Sequence, residues 1–287
     1  MFGKRYGARR LKTLNPYDRI VGFIMKKRYD ALVYFSDTID CAPIDEFIAR
    51  VEAEKGVRLS YLDLFNAGTV RTYAKKPQLN RFFMNGNMYA NDKISISMAI
   101  KKALRSDSES TTIKVDFTGH ENIFEVRDKF HEEIMKNKAA ASENSTDKLM
   151  ATLMNLPSFI INPAISFLMW LDKINALPRS IIDASPFHGS VFITYLKSLG
   201  IRSIYHHIYD FGTIGMFIAV GKEQYVPAVD RKTKEIVVKK QIELMVVADE
   251  RICDGLYHAQ AMKYFRTLME NPDQLTERLE TVERDID

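Results

Sequence analysis

A chain of 287 residues with 46% hydrophobic and 27% charged side chains is long enough for one large or two modest domains with a substantial core, which excludes intrinsic disorder as the default. The net charge of +4 does not describe a nucleic-acid-binding face: Lys4, Arg5, Arg9, Arg10 and Lys12 supply the excess, leaving 36 basic against 37 acidic residues. Two cysteines, Cys41 and Cys253, are too few for a disulfide framework and match no zinc spacing, which points to a reducing, cytoplasmic location.

In chain order, residues 1–14 read as a basic N-terminal arm without the apolar stretch of a signal peptide. Asn15 followed by Pro16 marks a helix start, and the pattern predicts a helix to about Tyr29. ALVYFSDTI is a predicted strand and IDEFIARVEAEKG a helix closed by Gly56. Ser60 caps a second helix through about Lys75. RFFMNGNMYANDKISISMAI predicts a hairpin turning at Asn85-Gly86 and then a strand with one buried face. TTIKVDF is a further strand, followed by a helix from about Glu121 to Lys136, and KNKAAASENSTDK reads as an exposed linker.

Residues 149–171, LMATLMNLPSFIINPAISFLMWL, run without a charge over a length that could cross a bilayer. Pro157 and Pro163 interrupt the run and remove backbone donors that lipid cannot replace, so the expectation is two short apolar helices in a core or at a subunit contact. Membrane association is the minority alternative. Short strands near SVFIT and MFIAVG precede a hairpin, QYVPAVDRKTKEIVVKKQIELMVVAD, and GLYHAQAMKYFRTLMENP forms a last helix stopped by proline. The order describes an α+β domain over 15–275, with a large mixed or antiparallel sheet flanked by helices. Residues 276–287 form an acidic tail, which would attract the basic arm weakly between subunits.

DERICDG before a helix ending in LMENP resembles the DHRxxDG motif and terminal helix of the 2-oxoacid dehydrogenase acyltransferases, the dihydrolipoamide acyltransferase cores. ICDGLYH is similar to the end of chloramphenicol acetyltransferase, which shares that fold. KKPQLNRFF resembles the family's hPeLN segment, and SVFITYLKSLGI its TFTISNLGMFG strand and turn; the similarity runs in order over roughly residues 15–275. The resemblance implies the chloramphenicol-acetyltransferase-like fold, acyl-coenzyme A as cosubstrate and a homo-oligomer built from trimers.

In that family a histidine is the general base for the thiol or hydroxyl that attacks the acyl thioester, and Glu250 stands in its place. A base works best with a pKa near the working pH, and a carboxylate, at about 4.3, needs burial to raise it by roughly two units. Thr194 falls where the family places a serine or threonine that stabilises the oxyanion across the subunit interface, although Tyr195 and Lys197 depart from the pattern. Asp254 matches an aspartate that orients the loop, expected here as a carboxylate anchored to an arginine, and Arg251 matches the family's arginine. His258, one helical turn after Asp254, is the first candidate for a displaced base, with His188, His206 and His207 behind it; no metal is expected from them. The chain carries no lipoyl attachment segment, so acyl transfer to lipoamide would use a lipoyl domain supplied in trans. Three readings stay open: an impaired homologue acting through assembly, an active coenzyme-A-dependent acyltransferase using Glu250 or a displaced histidine, and a membrane- or partner-binding module.

Overall fold

The computed structural model describes residues 4–101, 110–138, 154–155, 157–230 and 232–287. Nine strands form two sheets among these residues. β1 (Ala8–Arg10), β4 (Asn87–Asn91) and β3 (Arg81–Met84) make a small antiparallel sheet. The six-stranded sheet has the order β2 (Leu32–Asp40), β9 (Ile236–Asp249), β8 (Met216–Val229), β7 (Val191–Tyr195), β5 (Ile94–Lys101) and β6 (Ser110–Phe117). β7 runs parallel to both β5 and β8, and the other pairings are antiparallel, so the sheet is mixed.

The two-residue period of these strands separates two cores. Val191 and Ile193 of β7, Met216 of β8 and Val246 of β9 face the main core, where α2 (Ala42–Lys55), α3 (Tyr61–Lys75), α4 (Ile123–Lys138) and α7 (Gly255–Glu270) contribute. Their neighbours Phe192, Phe217 and Val247 turn to the opposite face and pack with Ile208 and Ile214 of the loop after β7. α3 lies deepest, buried from Tyr61 to Ala74 apart from Leu62. Its start is the expected one: Ser60 Oγ accepts from the Asp63 N–H while the Asp63 carboxylate accepts from the Ser60 N–H, a reciprocal cap. The Asn85-Gly86 hairpin turn also forms, with both residues at positive φ, 46° and 74°.

Three expectations change. α1 (Pro16–Ile24) stops short of Tyr29, because the chain leaves the helix to bury Arg28, whose N–H donates to Asp210 at 2.9 Å. The arm and tail are not appendages meeting between subunits. Arg5, Ala8 and Leu11 are buried, Arg9 donates to the carbonyls of Asp285 and Ile286, and the Lys12 and Thr13 N–H groups donate to the Asp287 carbonyl at 3.0 and 2.9 Å within one chain. In the charge-free run, α5 (Ser158–Lys173) passes through Pro163 without a break, so the proline does not divide it as expected, and the short α6 (Arg179–Ala184) follows. Residues 149–153 and 156 of that run, and 139–148 of the linker, lie outside the described residues. Among those described, no helix is long and apolar enough to cross a membrane.

Candidate active site

The turn from β9 into α7 holds DERICDG, and its geometry rests on Asp249. This carboxylate is fully buried and receives two bonds from Arg251, Nε to Oδ1 at 2.8 Å and Nη2 to Oδ2 at 2.7 Å. Arg28 approaches its other side at 3.4 Å and spends its remaining donors on the carbonyls of Tyr209 and Gly212. Both arginines are 5% exposed or less. Burial lowers the pKa of Arg28, and the Asp249 charge works against that shift. Arg251 closes the arrangement by donating to the Met25 carbonyl and lying 5.3 Å from the Phe83 ring.

Between these buried charges Glu250 points outward. Its N–H donates to the Ala31 carbonyl at 2.8 Å, which ties the turn to the residue before β2, but its side chain is exposed. In the single chain the carboxylate is therefore not enclosed by the protein. Asp254 does not anchor an arginine. It is exposed and caps α7, its Oδ1 accepting from the Tyr257 N–H at 2.7 Å, and the anchoring role expected of it belongs to Asp249.

His258, carried inward on the first turn of α7, does not sit beside Glu250. It is buried against Phe35, and its Nε2 lies 3.3 Å from Cys253 Sγ. Burial lowers the imidazole pKa and pushes the Cys253 thiol up, so both are neutral near pH 7. Thr194 is half-buried at the far end of β7. It stands opposite Ala219 of β8, which stands opposite Met245 of β9. At about 3.4 Å per residue the five steps from Met245 to Glu250 place the hydroxyl roughly 17 Å further along the sheet and two strands across. One chain does not bring Thr194 to Glu250.

The other histidines have separate surroundings. His188 is buried 3.2 Å from Asp172, which also pairs with Arg5 at 2.6 Å. Burial lowers the His188 pKa against the pull of Asp172. His206 stacks on Phe217 with ring centres 4.4 Å apart, while its neighbour His207 meets Tyr209 edge-on. Among the described residues no three His, Cys, Asp or Glu side chains gather in a metal-holding arrangement. Sequence reasoning missed Arg28 and Cys253: nothing local joins Arg28 to the motif, and a lone cysteine in a core is unremarkable.

Residues 214–277, which comprise β8, β9, the motif turn and α7, match the family model of the 2-oxoacid dehydrogenases acyltransferase (catalytic domain). The whole chain is similar to a probable dihydrolipoamide acetyltransferase from Listeria monocytogenes, at 15% identity over 91% of this chain and 94% of that one, with a TM-score of 0.59. The fold is that of the dihydrolipoamide acyltransferase core. The Azotobacter vinelandii dihydrolipoamide acetyltransferase is alike at 13% identity, covering 90% and 88% of the two chains with a TM-score of 0.59. Chloramphenicol acetyltransferase follows at 10% identity, 89% and 92% coverage and a TM-score of 0.53. No curated protein is a significant sequence match. The Azotobacter enzyme's mechanism has been studied through a serine, a histidine and an asparagine four residues beyond that histidine. The acyltransferase fold here carries the same four-residue interval from Glu250 to Asp254.

Proposed function

We propose that this acyltransferase-fold protein acts chiefly as an assembling subunit, a trimer or a multiple of trimers, with acyl transfer from coenzyme A weakened at the motif position. The observation that carries the reading is Glu250 at the position where the family resemblance expects the histidine base, a carboxylate whose side chain is exposed in the single chain. Assembly is supported by the outer half of the β8–β9 hairpin, where Tyr225, Val229, Ile236 and Val238 are 60–78% exposed, more apolar surface than a monomer keeps in water. A similar fold builds the cubic core of the pyruvate dehydrogenase multienzyme complex, at 12% identity and a TM-score of 0.59. The buried Asp249–Arg251 pair keeps the turn shaped around the missing histidine, so the same geometry favours recovery of chemistry when a base is supplied.

The test combines turnover of acetyl-coenzyme A with dihydrolipoamide and mass in solution. The natural chain should turn over near background, and Glu250→His should raise the rate by up to about 10²–10⁴-fold, the range of general-base catalysis. Its mass should be a multiple of three 33.0 kDa chains. Fast turnover lost in Glu250→Gln would make the glutamate a working base and the second reading, an active acyltransferase, the correct one. A clean monomer would remove the assembly role.

A further inference from the structure

α5 breaks the ordinary rule for a surface helix. From Ser158 to Leu171 it carries no charge, its polar positions being Ser158, Asn162 and Ser166, and the only residue it buries is Asp172 near its end. Phe159 is 79% exposed, Phe167 55% and Trp170 52%. A helix apolar on all sides is stable in a core or in lipid, and this one stands in neither as a single chain. At about 1.5 Å per residue its 16 residues span about 24 Å, short of the ~30 Å hydrocarbon thickness, so lying in the interface suits it and crossing does not.

α1 offers a second face of the same kind. Tyr17, Ile20, Phe23 and Ile24 are all more than half exposed on its nine residues, and Arg19, Lys26 and Lys27 are exposed beside them. The two helices border one cleft of about 370 Å³, to which α1 and the turn after it contribute Phe23 and Lys26, and α5 Met169 and Lys173. Apolar Phe23 and Met169 and exposed Lys26 and Lys173 thus share a cleft, whose wall also carries half-buried Asp210, the acceptor of the Arg28 N–H. Asp172, the acidic residue of α5, is turned inward onto Arg5 and His188 and does not offset the lysines at the surface.

We propose that α1 and α5 together form a docking face for the surface of an anionic lipid bilayer. Phe159, Phe167, Trp170 and the α1 face enter the boundary between headgroups and acyl chains, while Lys26 and Lys173 lie among the headgroup phosphates. Basic charge beside aromatic side chains selects anionic membrane over neutral membrane, and this role is separate from assembly through the β8–β9 hairpin.

Trp170 is the only tryptophan of the chain, so its emission reports the face directly. The full chain is floated with vesicles of phosphatidylcholine alone, and of phosphatidylcholine with about one-third phosphatidylglycerol. The expected result is flotation and a blue shift of Trp170 emission with the anionic vesicles, at least roughly tenfold weaker with the neutral ones and reduced by salt. Lys26→Gln and Lys173→Gln should each lower partitioning about fivefold, and Phe159→Ser with Phe167→Ser, changes at exposed positions, should abolish it. No flotation of the natural chain with either vesicle overturns the proposal. So does Trp170 emission already blue-shifted without lipid, together with a drop to monomer mass in the double serine variant, because a second copy then covers α5.

Discussion

With Arg28 and Arg251 buried on either side of Asp249, removing that one negative charge leaves two cations in the protein interior. Asp249→Asn should therefore cost about 3–5 kcal/mol in urea denaturation, while Thr194→Ala, which loses a half-buried strand hydroxyl, should cost at most about 1 kcal/mol. A second prediction concerns acid. His188, His206 and His258 all have folded-state pKa values lowered by burial from the ordinary 6.5. The unfolded chain then binds protons that the folded one refuses, so their contribution is fully present above about pH 6.5 and is lost as pH falls below it. Stability should fall as the pH drops below about 6.5, and His258→Gln should flatten that slope if the fold is kept. Glu121 titrates in a different window. Burial alone would raise its pKa, but Lys129 and the Thr118 N–H hold it at about 2, so its contribution is lost only below about pH 4.5. At this scale the chain shows which residues flank Glu250, and it does not show that Asp249 rather than Asp254 carries the arginines. Both aspartates are adjacent to the motif, and burial alone separates their roles.

For the elements, α7 tests the corrected role of Asp254. As an exposed N-cap its replacement by alanine should cost about 1 kcal/mol and leave the oligomer mass unchanged, against several kcal/mol had it anchored a buried arginine. α3 and α7 meet at Gly68, where an added Cβ would lie 2.6 Å from the end of Met269 and 3.0 Å from Phe265. Gly68→Ala should be nearly neutral, since the Met269 end can move and alanine favours the helix by about 1 kcal/mol, whereas Gly68→Val should cost about 1–3 kcal/mol in the same denaturation assay. Elements set by near neighbours were legible in the chain. The Ser60–Asp63 cap and the Asn85-Gly86 turn are closed by residues within four positions of each other. α1 ended early for a reason outside its own sequence, the burial of Arg28 against distant Asp210, and α5 ran on through Pro163 to Asp172, which is held by Arg5 and His188.

The whole molecule is closed by its last residues. Asp285 makes a buried bidentate pair with Arg81 at 2.6 Å for each bond, and Arg81 also donates to the carbonyl of Ile252 inside the motif turn. Asp285→Ala should cost about 3–5 kcal/mol and lower the thermal midpoint measurably, although composition alone presents this segment as a solvated acidic tail. Strand alternation, capping residues, hairpin turns and the motif's position belong to the sequence by itself, because each depends on side chains a few residues apart. So does the α+β class, since the order of those elements sets it. Only the tertiary structure decided that arm and tail are parts of the body, that His258 turns inward to Cys253, and that Thr194 and Glu250 stand roughly 17 Å apart along the sheet. The first depends on contacts between segments at opposite ends of the chain, the second on the direction a side chain takes into the core and the third on the register of paired strands, and local sequence does not encode the packing that selects them.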